Sequence, residues 1–83
     1  MSRGTSGRAT ESDETRRIAK VIRERRDGIF TLTDLAEALG RSKSYVAERD
    51  AGAAPWNVDE LVVIARLIPD VTVGSLLAEA GVR

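Results

Sequence analysis

The chain has 83 residues, enough for one small domain and too few for a Rossmann sheet, a barrel enzyme or two packed domains. Apolar residues make up 42% and aromatics only 4%, so the core has to be aliphatic, built from Leu, Ile, Val and Ala. Cysteine and histidine are absent, which excludes disulfides, thiolate or imidazole metal sites, cysteine nucleophiles and Ser-His-Asp chemistry.

No acid–base pair stands out and no glycine-rich loop follows a strand, so neither catalysis, a cofactor nor a small-molecule substrate is expected. No apolar run approaches the ~20 residues that span a bilayer, and the opening MSRGTSGRATES does not read as a secretory signal. A cytoplasmic protein with no membrane partner is the expectation. Thirteen basic and thirteen acidic residues cancel. Their distribution is uneven: residues 16–26 carry six basic groups and one acid, whereas residues 53–83 carry two basic groups and four acids. The local field, not the total, decides whether a polyanion is attracted.

Residues 1–12 hold little that can be buried and read as a flexible tail, followed by one domain over 13–83. Arg3 and Arg8 in that tail suit phosphate or minor-groove contact, although a solvated tail is the plainer reading. A first helix starts with Ser12 or Asp13 as N-cap and Glu14 in its first turn. Ile18, Val21, Ile22 and the stem of Arg25 form one apolar stripe, and Asp27-Gly28 ends the helix.

Ile29 and Phe30 read as core residues leading into a second helix. Thr31 is its N-cap, Asp34 completes a shortened capping box, and Leu32, Leu35, Ala36 and Leu39 face inward up to Gly40. Ser42 caps a third helix, over about 42–51, in which Val46 is the clear core residue and Gly52 marks the end. That helix is mostly polar although it lies mid-chain, which suggests presentation to a partner.

After a loop through Pro55, where Trp56 reads as an anchor, Asn57 caps a fourth helix over about 58–68. Val58, Leu61, Val62, Ile64, Ala65, Leu67 and Ile68 make it apolar on more than one face; most of this reads as core, with Val62 or Val63 left as a dimer seam. Pro69-Asp70 breaks it. Thr72 caps a last helix carrying Val73, Leu76, Leu77 and Ala80, ended by Gly81. The fold class is therefore all-α: five short helices and no sheet.

The stretch from Thr31 to Gly52 carries the most information. A capped helix, a tight turn at Gly40 and a second capped helix have the make-up of a helix-turn-helix, whose second helix fits a major groove about 12 Å wide. From roughly 15 to 78 the chain resembles the lambda-repressor-like (Cro/repressor, XRE) helix-turn-helix family of phage and prophage-type regulators. Phe30-Thr31 and Leu35-Ala36-Glu37-Ala38-Leu39-Gly40 resemble its supporting helix and turn. Ser42-Lys43-Ser44-Tyr45-Val46 resembles the recognition-helix entry, and Asp50-Ala51-Gly52 an acidic residue, a variable residue and a glycine. Val58 to Ile68 resembles the hydrophobic fourth helix, and Thr72-Val73 with Leu76-Leu77 the fifth.

The resemblance implies a compact five-helix domain and a transcriptional regulator of double-stranded DNA, a repressor or Cro-like protein. It implies that Ser42, Lys43, Ser44, Ala47 and Glu48 face bases, and that Tyr45 meets phosphate or packs on the domain. Three residues or segments depart from the family. Leu32 stands where Gln often grips the DNA backbone, Arg49 stands where an apolar residue is usual, and the connection over 68–72 is about one residue longer.

The chemistry of these side chains fits the same partner. Lys43 can bond guanine O6 or N7, Glu48 can accept from cytosine N4, Ser44 suits several base edges, and Ala47 can pack on a thymine methyl. Arg41 and Lys43 stand at a helix N-terminus that itself favours phosphate. Arg16, Arg17, Lys20, Arg23 and Arg26, with Thr31 and Arg41, make up the expected phosphate-contacting set, which supplies affinity without sequence information. One domain of this size buries only ~600–1,000 Å² on DNA, so affinity calls for a homodimer on a two-fold operator, or for added contacts from the tail and the first helix. The alternative is a protein-interaction module on the same fold, antitoxin-like or partner-binding, which zero net charge, Glu48 and Leu32 favour.

Overall fold

Each helix begins where a side chain replaces the missing intrahelical acceptor of its first turn. In the computed structural model, which describes residues 12–82, Ser12, Thr31, Ser42, Asn57 and Thr72 each accept from the backbone N–H three residues on. These caps open α1 (Asp13–Arg26), α2 (Leu32–Leu39), α3 (Lys43–Asp50), α4 (Val58–Leu67) and α5 (Val73–Glu79). Thr31 with Asp34, Asn57 with Glu60 and Thr72 with Ser75 form reciprocal capping boxes. The described residues contain no strand, and the fold is all-α.

Two glycines end the central helices. Gly40 at φ +66° lets the Gly40 and Arg41 N–H groups return to the carbonyls of Glu37 and Ala36, turning the chain sharply from α2 into α3. Gly52 at φ +83° does the same for α3, and a Cβ there would stand 3.5 Å from the Arg16 Cα, so the chain leaving α3 passes directly against α1.

The core takes one large, fully buried side chain from every helix: Ile22, Leu35, Val46, Ile64 and Leu76. None of the helices is long enough to hold its shape in water alone, so this shared burial supplies most of their stability. α1 packs on α3 and α5, α2 on α3 and α4, and α4 on α5. Trp56 lies in the loop before α4 and is buried against the same cluster, as an anchor of that loop.

Some residues read as core lie outside it. Ile29 is 49% exposed: it occupies the turn between α1 and α2, and its neighbour Phe30 is the one packed inward. Val58 is 68% and Leu67 37% exposed, because the apolar residues of α4 lie on more than one face while the neighbouring helices cover only one side. α4 also stops one residue early, at Leu67, since the extended Ile68 caps it ahead of Pro69. Of the expected tail over 1–12, only Ser12 is among the described residues, as the α1 cap; Arg3 and Arg8 lie outside them.

Candidate nucleic-acid interface

α3 buries only two of its eight residues, Val46 and Asp50. Val46 is an ordinary core contact. Asp50 is a charge at the helix C-terminus, where the macrodipole opposes a negative group. Its carboxylate accepts two hydrogen bonds from Arg26, at 3.0 Å from Nε and 2.9 Å from Nη2, and Arg23 donates to its backbone carbonyl. Both arginines come from α1, so the end of α3 is tied to α1 through its charge and its orphan carbonyl together.

The first turn of α3 is held from the other side, through Tyr45. The Tyr45 hydroxyl donates to Glu60 Oε2 at 2.6 Å, while Glu60 Oε1 accepts from the Asn57 N–H in the α4 capping box. Two guanidinium groups stack over the Tyr45 ring, Arg49 at 3.5 Å from its centroid and Arg41 at 4.6 Å. Arg49, which stands where the resembled family has an apolar residue, thus covers the ring with its planar head and donates to the Tyr45 carbonyl and to Glu48.

The hydrogen bond to the Glu60 carboxylate, with burial and the negative charge of Glu60 adding to it, raises the Tyr45 pKa above the ordinary 10.0, against the lowering influence of Arg49 and Arg41. The folded-state value is the higher one. The stability from this bond is therefore complete below the unfolded tyrosine value and is lost as pH rises through the folded one. Wild type is expected to be more stable than Tyr45→Phe near neutral pH, and the gap should shrink under alkaline conditions. Urea titrations of both proteins across that range check this, and a gap independent of pH would show that the bond to Glu60 does not raise the Tyr45 pKa.

With Asp50 tied to α1 and Tyr45 to α4, the residues that open α3 stay exposed. Ser42, Lys43 and Ser44 are exposed, and Arg41 is exposed beside them. Ser42 is occupied as the cap, its Oγ accepting from the Tyr45 N–H at 3.1 Å. Lys43 has no ion-pair partner among the described residues. Glu48 is exposed one turn later, whereas Ala47, expected at the base-facing surface, is half-buried. Thr31 is exposed and serves as the α2 cap.

The cations of the basic run on α1 all have partners, most of them in exposed pairs at the helix surface. Arg16 pairs with Asp13, Lys20 with Glu24 at 2.7 Å, and Arg17 with Glu14 while its Nε donates to the Ala80 carbonyl at 2.8 Å. Lys20 and its neighbouring arginines hold the Glu24 carboxyl below the ordinary value, its bond to Lys20 being the largest cause. Arg23 and Arg26 are half-buried on Asp50, about 10 Å along the helix axis from Lys43. The structure therefore brings Arg41, Ser42, Lys43, Ser44 and Tyr45 together in one turn and leaves the α1 residues apart from it.

The Arg26–Asp50 and Tyr45–Glu60 pairings were not anticipated. Each joins residues distant in sequence, and only the placement of an acid in the last turn of α3 signals the first. Among the described residues no cluster of three or more acids suits a metal ion, and no helix is long and apolar enough to cross a membrane. Comparison of the chain with protein-family models, curated proteins and solved structures gave no match.

Proposed function

We propose that the protein is a sequence-specific regulator of double-stranded DNA, in which α2, the Gly40 turn and α3 act as a helix-turn-helix of the lambda-repressor-like kind. The observation that carries this reading is the exposed segment Arg41–Ser44, with a Lys43 that has no ion-pair partner among the described residues, at the leading end of a short helix tied to α4 through Tyr45 and to α1 through Asp50. A reading helix has to be rigid behind and open in front, because base contacts form only when the side chains arrive already placed. Lys43 and Ser44 read base edges, Glu48 reads one turn further on, and Arg41 with the α3 N-terminal N–H groups meets phosphate. Bound at a promoter, the domain acts as a repressor or Cro-like protein by excluding polymerase.

The engagement of Arg23 and Arg26 on Asp50 favours a second reading, a partner-binding module on the same fold, because it takes two of the expected phosphate contacts out of reach. Selection of bound duplexes from a random pool separates the two. A regulator should enrich a defined site and lose affinity steeply with salt, with a log–log slope of about −0.9 per phosphate neutralised. Lys43→Ala should then weaken the selected site by roughly 5- to 150-fold, equivalent to about 1–3 kcal/mol, and relax preference at one base pair. Equal binding of selected and random duplexes would leave the partner-binding reading standing.

A further inference from the structure

Arg49 is the residue of α3 that folding alone explains least. Its side chain is only 19% exposed, and its Nε is buried with no hydrogen-bond partner among the described residues. A buried N–H left unbonded is destabilising, and a leucine filling the same space over Tyr45 would carry no such group. The arginine adds a contact that no apolar residue can make. Its Nη1 donates both to the Tyr45 carbonyl at 3.3 Å and to Glu48 Oε1 at 3.1 Å.

A helix does not supply the second of these contacts by default. Adjacent residues project about 100° apart and do not face each other, whereas Tyr45 and Arg49, four apart, share one side. Arg49 meets Glu48 while its guanidinium is stacked 3.5 Å from the centroid of the Tyr45 ring, and Tyr45 is itself held by Glu60. A relay therefore runs from α4 through Tyr45 and Arg49 to Glu48, whose side chain is 56% exposed. It does two things to that carboxylate. Oε1 is engaged, while Oε2 has no partner among the described residues and is left as the outward acceptor. The charge is also balanced. Glu48 lies four residues after the exposed Ser44, on the same stripe of α3, where a bare carboxylate would repel the phosphates of a duplex.

We infer that Arg49 is a positioning residue of the α3 reading surface, which holds and neutralises the Glu48 carboxylate through Oε1 so that Oε2 accepts from the exocyclic amine of a cytosine in the major groove. This role rests on the proposed reading of DNA. It adds the residue that decides whether an acid in the reading helix selects a base or only repels the duplex. Lysine does not substitute, because it lacks the planar head that stacks on the ring and donates sideways.

Selection of duplexes by wild type and by Glu48→Gln, followed by affinity measurements on the selected site, tests this. Glu48→Gln should move the preference at one base pair from cytosine to adenine. Arg49→Leu should weaken the wild-type site by roughly 5- to 150-fold and erase the cytosine preference. Added to Glu48→Gln, the same substitution should cost about twofold or less, because no carboxylate is left to hold. A readout without DNA accompanies these. The chain has one tyrosine, and Arg49 lowers its pKa, so Arg49→Leu should raise the pKa of Tyr45 in a phenolate absorbance titration. Should wild type select no site, the DNA reading fails and this role with it. If a site is selected but Arg49→Leu weakens it equally with Glu48 or Gln at that position, or leaves the tyrosine titration unmoved, only the inference is overturned. Glu48→Gln is at an exposed position and keeps the test open should Arg49→Leu unfold the domain: a cytosine preference that it does not move would also overturn the inference.

Discussion

Asp50→Ala is expected to lower folding stability by about 3–5 kcal/mol, the usual cost of removing one member of a buried ion pair. The Arg26 side chain is only 19% exposed and Asp50 9%, so truncating the acid leaves a guanidinium with two lost acceptors in a largely dry site. Arg26→Ala should cost a similar amount, and the double variant less than the sum, because it leaves no orphaned charge. A domain this small has stability of order 5 kcal/mol, so the single variants should be partly unfolded at physiological temperature. Urea denaturation followed by circular dichroism gives the numbers. A loss below about 1 kcal/mol would mean that Val46 and Tyr45 hold α3 without this pair.

Trp56→Ala should also cost about 3–5 kcal/mol, by leaving a large void beneath the loop that connects α3 to α4. The buried indole Nε1 has no hydrogen-bond partner among the described residues, so nothing is lost with that N–H. Trp56→Phe should therefore be far milder than Trp56→Ala, limited to the volume difference. If both substitutions were equally damaging, the indole nitrogen would have to be hydrogen-bonded, and the role of Trp56 would be polar as well as apolar. Chemical denaturation of the two variants distinguishes these outcomes.

The local grammar of the fold was legible in the sequence. Four N-caps are read from Thr31, Ser42, Asn57 and Thr72, the first is narrowed to Ser12 or Asp13 and proves to be Ser12, and the helix ends follow from Asp27, Gly40 and Gly52, because capping is decided within four residues of chain. The exposed turn at Lys43 and Ser44 was legible for a related reason: a helix with one apolar residue has little to bury. What lay beyond reach was partner choice. Arg26 and Lys20 look alike in a basic run, yet one is half-buried on Asp50 and the other sits at the surface on Glu24. Tyr45 left open whether it packed or faced outward, and the answer depends on Glu60, fifteen residues on. Periodicity likewise could not assign Val58, since a helix apolar on more than one face does not reveal which side its neighbours will cover.

The backbones of the helices pack in a closed circuit, α1, α3, α2, α4, α5 and back to α1, and the Tyr45–Glu60 hydrogen bond joins α3 to α4 across it. Such a circuit has no terminal element that can peel away at the cost of a single contact. Detaching any helix strips cover from two neighbours at once, and neighbours of seven to fourteen residues do not survive uncovered. Melting is therefore all-or-none, and the outward turn at Lys43 keeps its shape until the whole assembly is lost.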